Sequence, residues 1–158
     1  MTTASDLLQC HFQTLVDDNA QWQTLIADDL VWELPYAPAI GHPARLSGRA
    51  EVVRHVSWFL ESVENFRFFD LKVHPFADPE EAVAEVKAEG LIKPTGRMYH
   101  QDYVVFLRVD GGKIAFLREY FDPTQASKAM NVPILGLWAS RLDQTGKPYS
   151  SHSSSAVH

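Results

Sequence analysis

The chain has 158 residues, 46% hydrophobic and 22% charged, proportions that suit one soluble folded domain with its own core. A formal net charge of −6 argues against nucleic acid or an anionic membrane as partner, because both require a basic surface. The single cysteine, Cys10, excludes an internal disulfide and a cysteine-rich metal site.

The first ten residues, MTTASDLLQC, lack a basic start followed by an apolar run, and no uninterrupted apolar stretch is long enough to span a bilayer. The expectation is a cytoplasmic protein. Leu7, Leu8, Phe12, Leu15 and Val16 fall on one helical stripe, with Ser5 as candidate N-cap. A second short helix is predicted over 20–29. LVWELPYA (30–37) reads as a strand that places Trp32, Leu34 and Tyr36 on one face. Residues 37–49, with two prolines and two glycines, read as a long loop.

The clearest helix covers 50–65, where Val52, Val53, Val56, Phe59, Leu60 and Val63 recur at three- and four-residue steps. His55 sits at the border of that stripe. Four strands follow, over 66–76, 82–92, 97–109 and 114–122, the last two joined by a DGGK turn. A short helix (123–130) and an apolar VPILGLW close the predicted domain, residues 1–140. From Arg141 to His158 the composition turns polar, as in a disordered tail or a dimer arm. Helices laid on one side of a strongly bent antiparallel sheet make an α+β cone, a cystatin-like α+β barrel with a central pocket.

Within FLREYFDP (116–123) the alternation breaks down, for Arg118, Glu119, Tyr120 and Asp122 crowd the end of a strand. Ala115, Leu117, Glu119 and Phe121 share one face of it. Glu119 is therefore either a desolvated carboxylate looking into a cavity or a structural partner of Arg97 or Arg118. His55 is either a proton-transfer group or a boundary histidine. Tyr99, Gln101 and Tyr103 share a strand face, with His100 and Asp102 on the other as a solvated or interface-facing ion pair. Trp32, Tyr36 and Trp58 are candidate walls for a flat ligand, with ordinary core packing as the alternative. The seven histidines show no metal-ligand spacing, and there is no Gly-rich phosphate loop or Gly-x-Ser-x-Gly elbow. The residues suggest chemistry without a metal or other cofactor.

The element order, together with YHQDYVVFLRVDGGKIAFLREYFDP, resembles the SnoaL-like branch of the nuclear transport factor 2-like superfamily, which includes ketosteroid isomerase and polyketide cyclases. REYFDP, ASKAM and NVP are most similar to the phenazine-biosynthesis A/B proteins. The resemblance covers about residues 4 to 137. It implies a homodimer that binds a small hydrophobic or aromatic ligand, with Glu119 and His55 as an acid/base pair. It further implies that Gln101 points its amide at the ligand, and that Phe59 and Tyr103 line the pocket. Phe59 stands where the phenazine proteins carry a small hydroxyl residue, a departure that makes the pocket more apolar. The reaction implied is an isomerisation, cyclisation or condensation. A non-catalytic ligand-binding protein and a dimeric interaction domain are the rival readings.

Overall fold

The computed structural model describes residues 2–135, so the apolar stretch beyond 135 and the polar tail of 141–158 lie outside the described residues. Helix α1 (Ala4–Thr14) begins two residues earlier than Ser5 as N-cap suggests. Thr3 is the N-cap, its hydroxyl accepting from the Asp6 N–H while the Asp6 carboxylate accepts from the Thr3 N–H. Helix α2 (Asn19–Leu25), capped by Asp18, is shorter than predicted, because Ile26 already opens strand β1 (Ile26–Glu33).

The presumed loop has structure of its own. A 3₁₀ turn (Ala37–Ile40) and a three-residue strand β2 (Arg45–Ser47) lead into α3 (Arg49–Ser62). Arg49 ties the entry of α3 to the preceding chain, donating to the carbonyls of Gln23 and Ile26 at 2.6 Å each and to Asp28 at 2.9 Å. Strands β3 (Val63–Pro75), β4 (Glu81–Ile92), β5 (Arg97–Asp110) and β6 (Lys113–Phe121) form the expected meander, and α4 (Pro123–Met130) follows.

The sheet order is β2-β1-β6-β5-β4-β3. It is mixed, not wholly antiparallel, because β1 lies parallel to β6 while every other pair is antiparallel. It also stays open, with β2 and β3 at its edges, and does not close into a barrel. Helix α1 packs on the concave side, burying Leu7, Leu8, Phe12 and Leu15 together with Trp22 of α2.

Irregular pairings supply the bend. Strand β3 carries Asn65 and Asp70 in the left-handed region (φ 54° each) at its two register shifts against β4. Opposite the first shift lies Gly90, where an added Cβ would stand 2.5 Å from the Val63 Cγ1 and 3.1 Å from the Phe66 Cα. Rotation of Val63 relieves the first clash, but the backbone of Phe66 cannot step aside. Gly90→Ala is accordingly expected to destabilise the fold by ~1–3 kcal/mol in urea unfolding, despite alanine's better strand entropy. A further bulge, at Ala115, puts Ile114 on the same buried side as Leu117, a slip that simple alternation does not reveal.

Candidate active site

Between α1, α3 and the concave face of the sheet lies an aromatic-walled cavity of about 90 Å³. Beyond the bulge, β6 resumes its alternation, and Glu119 enters this cavity between the buried Leu117 and Phe121. Neither proposed arginine partner reaches it. Arg118 points to the opposite face and binds Glu33 at 3.0 Å, and Arg97 donates to the Lys128 carbonyl at 2.8 Å. Among the described residues nothing hydrogen-bonds the Glu119 carboxyl. Burial alone pushes its pKa up from 4.5 to about 8. The group is therefore mostly protonated at neutral pH.

His55, from the face of α3 turned to the sheet, lines the same cavity. Burial first, and the neighbouring His42 second, pushes its pKa below the ordinary 6.5. A carboxylate beside His55 would hold its proton to higher pH, but the two groups form no ion pair, and Glu119 is neutral where His55 titrates. Both rings of His42 and His55 lean on Trp58, with centroids 5.4 and 5.7 Å away. Trp58 is 43% exposed and forms part of the rim.

Two more candidates fall elsewhere. Gln101 is buried, but its amide is spent on the protein. It donates to the Tyr99 hydroxyl at 3.0 Å and the Asp122 carbonyl at 2.9 Å, and it accepts from the Asp102 and Asp122 N–H groups at 3.0 and 2.8 Å. All four hydrogen-bonding positions are filled, so none is left to orient a ligand. Tyr36 lies outside the cavity, half exposed and stacked edge-on against Tyr120 at 5.4 Å. Strand β1 ends at Glu33 and the chain turns through Pro35 into the 3₁₀ turn, so the strand alternation no longer applies there.

Trp32, Phe59 and Tyr103 do line the cavity, and Tyr99 joins them. The Tyr99 and Tyr103 hydroxyls lie 3.1 Å apart, with the first fixed by Gln101. Burial, opposed in part by these hydrogen bonds, pushes Tyr99 up to about 12, and Tyr103 is pushed well above its usual value too. Both phenols are thus neutral donors. His100 and Asp102, in contrast, face outward and pair not with each other but with Glu89 and Lys87 of β4, at 3.7 Å each. Among the described residues no three His, Cys, Asp or Glu side chains gather as metal ligands, and no helix is long and apolar enough to cross a membrane.

Of the cavity residues that the sequence reading did not name, His42 among them, the most deeply buried polar one is His11. His11 is 1% exposed on α1, and its Nδ1 accepts from the Trp22 indole N–H at 2.9 Å. The available signal was its position in the stripe of Leu7, Leu8, Phe12 and Leu15, where a polar residue must find buried partners.

The SnoaL-like domain model matches residues 12–117. The chain belongs to the SnoaL-like family. A PhzA/B-like protein of Pseudomonas aeruginosa is 30% identical over 128 residues, covering 80% of this chain and 89% of that protein. A solved Bacillus subtilis structure superposes with a TM-score of 0.74 at 26% identity, over 84% of this chain and 96% of its own. The phenazine biosynthesis-related protein phzb2 of Pseudomonas aeruginosa gives 0.71 at 21% identity, over 92% and 88%. This SnoaL-like chain therefore shares the ketosteroid isomerase-like fold, with its cavity formed between helices and curved sheet as the geometry indicates.

Proposed function

We propose that this SnoaL-like protein is a cofactor-independent general acid/base enzyme acting on a small cyclic carbonyl or imine compound. The observation that carries the reading is the Glu119 carboxyl, unpaired among aromatic walls and protonated near neutrality. A neutral carboxylic acid in a dry site donates its proton to a carbonyl oxygen or imine nitrogen as charge develops there. His55, unprotonated at neutral pH, supplies the complementary base and takes a proton from the adjacent carbon. The two groups share a cavity without touching, so the ligand bridges them. Return of the His55 proton to another carbon, and of the ligand's proton to Glu119, completes an isomerisation with no net change in the protein. In a cyclisation His55 takes the carbon proton while Glu119 protonates the attacked oxygen, and passage of the His55 proton to Glu119 resets the pair; in a condensation that oxygen then leaves as water.

The cavity's size narrows the ligand. Drug-sized ligands occupy pockets of roughly 300–1,000 Å³, so about 90 Å³ suits one small ring, with larger substituents passing the rim at Trp58. The homodimer belongs to the same proposal, supported by the resemblance and by an outward sheet face where arginines stack on aromatic rings, as Arg108 does on Phe116 at 5.0 Å. A ligand carrier is the second reading, favoured by Phe59, whose ring packs edge-on against Phe66 at 4.9 Å and makes the wall more apolar.

A carboxyl-carbon NMR titration, with Glu119→Gln as the assignment control, tests the acid. Glu119 is expected to titrate near 8. A value at or below the ordinary ~4.3 of a solvated glutamate would sink the acid role and favour the carrier.

A further inference from the structure

The wall of the cavity formed by α1 and β1 carries two ring N–H groups, on Trp32 and His11, that the acid/base chemistry does not use. The Trp32 indole is 4% exposed and lines the cavity, and its Nε1–H has no hydrogen-bond partner among the described residues. A buried donor left unpaired costs ~1–3 kcal/mol, which is why such groups are rare in folded proteins.

Its neighbour is His11, with ring centroids 5.9 Å apart. The Trp22 indole is a donor only, and it donates to the His11 Nδ1. That nitrogen therefore bears no proton. A neutral imidazole must then carry its proton on Nε2, and no acceptor for that N–H occurs among the described residues. Trp22 thus fixes the tautomer, and His11 presents a donor from a ring that also lines the cavity. Trp32 and His11 thus place donors on two neighbouring rings of the cavity wall, with the Trp32 Nε1–H buried and unpaired.

From this geometry we infer that Trp32 and His11 form a donor-only subsite for a proton-free oxygen of the ligand, such as a ketone, quinone or lactone carbonyl. The inference rests on the reading of the cavity as a ligand site and adds what that ligand must present. An oxygen with lone pairs satisfies both N–H groups. A methylene in its place leaves both unpaired, so the subsite discriminates by the cost of unsatisfied donors. Trp32 and His11 are binding and orienting residues, and they take no part in proton transfer.

The probes are cyclopentanone and methylenecyclopentane, isosteres that differ in C=O against C=CH₂ and have a single ring of suitable size. Each is titrated into the full chain labelled with nitrogen-15, following the Trp32 indole and His11 imidazole N–H signals and, as markers of cavity occupancy, Tyr99 and Tyr103. Cyclopentanone is expected to move the Trp32 and His11 N–H protons downfield and slow their exchange, and methylenecyclopentane is expected to move only the tyrosine markers. Trp32→Phe enlarges the cavity for both probes alike, so the expected effect is on their ratio: the preference for cyclopentanone over methylenecyclopentane falls about tenfold, the size of one hydrogen bond to a buried donor. The wild-type signals decide the matter if that variant does not fold. If both probes shift the tyrosines alike and neither N–H responds to the ketone, the donor subsite is wrong while the ligand cavity stands. If neither probe shifts any cavity signal, the small-ligand reading fails and takes the subsite with it.

Discussion

Glu119→Gln is expected to leave stability at pH 4 almost unchanged and to raise it by about 3 kcal/mol at pH 9, read as the difference in urea unfolding free energy between variant and wild type. The sign follows from where the proton sits. The folded value is raised to about 8 against 4.5 for an unconstrained glutamate. Below 4.5 the carboxyl is neutral in both states and burial is tolerated. Between 4.5 and 8 the unfolded chain releases its proton while the folded chain keeps it, so stability falls as pH rises. Above 8 the folded protein also ionises and the loss is complete. The full displacement corresponds to roughly 4–5 kcal/mol, but Glu119 keeps partial access to solvent through the cavity, and about 3 kcal/mol allows for that screening. Glutamine occupies the same volume and never ionises. A difference curve flat from pH 4 to 9 would mean a solvated carboxylate.

His11 tilts the profile the other way. Burial pushes its pKa down to about 3, so acid protonates the unfolded chain first and stability falls as pH drops below 6.5. Wild type and Glu119→Gln share that limb, and their difference isolates the carboxyl.

The second large effect concerns Gln101. Gln101→Leu is expected to cost about 3 kcal/mol in the same unfolding assay, since the Asp122 N–H and C=O and the Tyr99 hydroxyl each lose a partner worth ~1 kcal/mol. These bonds pin the end of β6 to β5, just where the chain turns into α4. Gln101→Glu, which keeps the acceptor oxygens but loses the amide donors, should recover part of the loss. A ligand-orienting glutamine would behave oppositely, with stability preserved and ligand affinity lost.

Much of the fold was legible because its signals are local. The period of Val52, Val56 and Phe59 marks α3, the DGGK turn registers β5 against β6, and Asp-Pro caps and opens α4. For Glu119 the apolar flanks Leu117 and Phe121 suggested a cavity position, but sequence left an arginine partner as the alternative, and only the paths of Arg97 and Arg118 separate the two. What sequence could not show depends on distant partners. The parallel pairing of β1 with β6 joins segments about 85 residues apart, as in the Glu33–Arg118 bridge. Gln101 carries the amide expected of a ligand-facing residue, yet backbone groups at Asp122 saturate it. The departure of Tyr36 depends on where β1 stops, and element ends are weakly encoded. His11 reads as one polar residue in an apolar stripe until Trp22 and Trp32 are set beside it.

The central pairing of β1 with β6 also bears on how the chain is made. During synthesis α1, α2 and β1 emerge early, with Trp22, Leu30 and Trp32 among their apolar residues. Their main sheet partner appears only when residues 113–121 have left the ribosome. Until then β1 has only the three-residue β2 to pair with. Such long-range closure is slow and leaves strand edges open to other chains. The nascent N-terminal third is thus the stretch on which a chaperone would act. The cavity, whose walls run from α1 to Ala126 and Met130 of α4, is finished only when β6 and then α4 have docked.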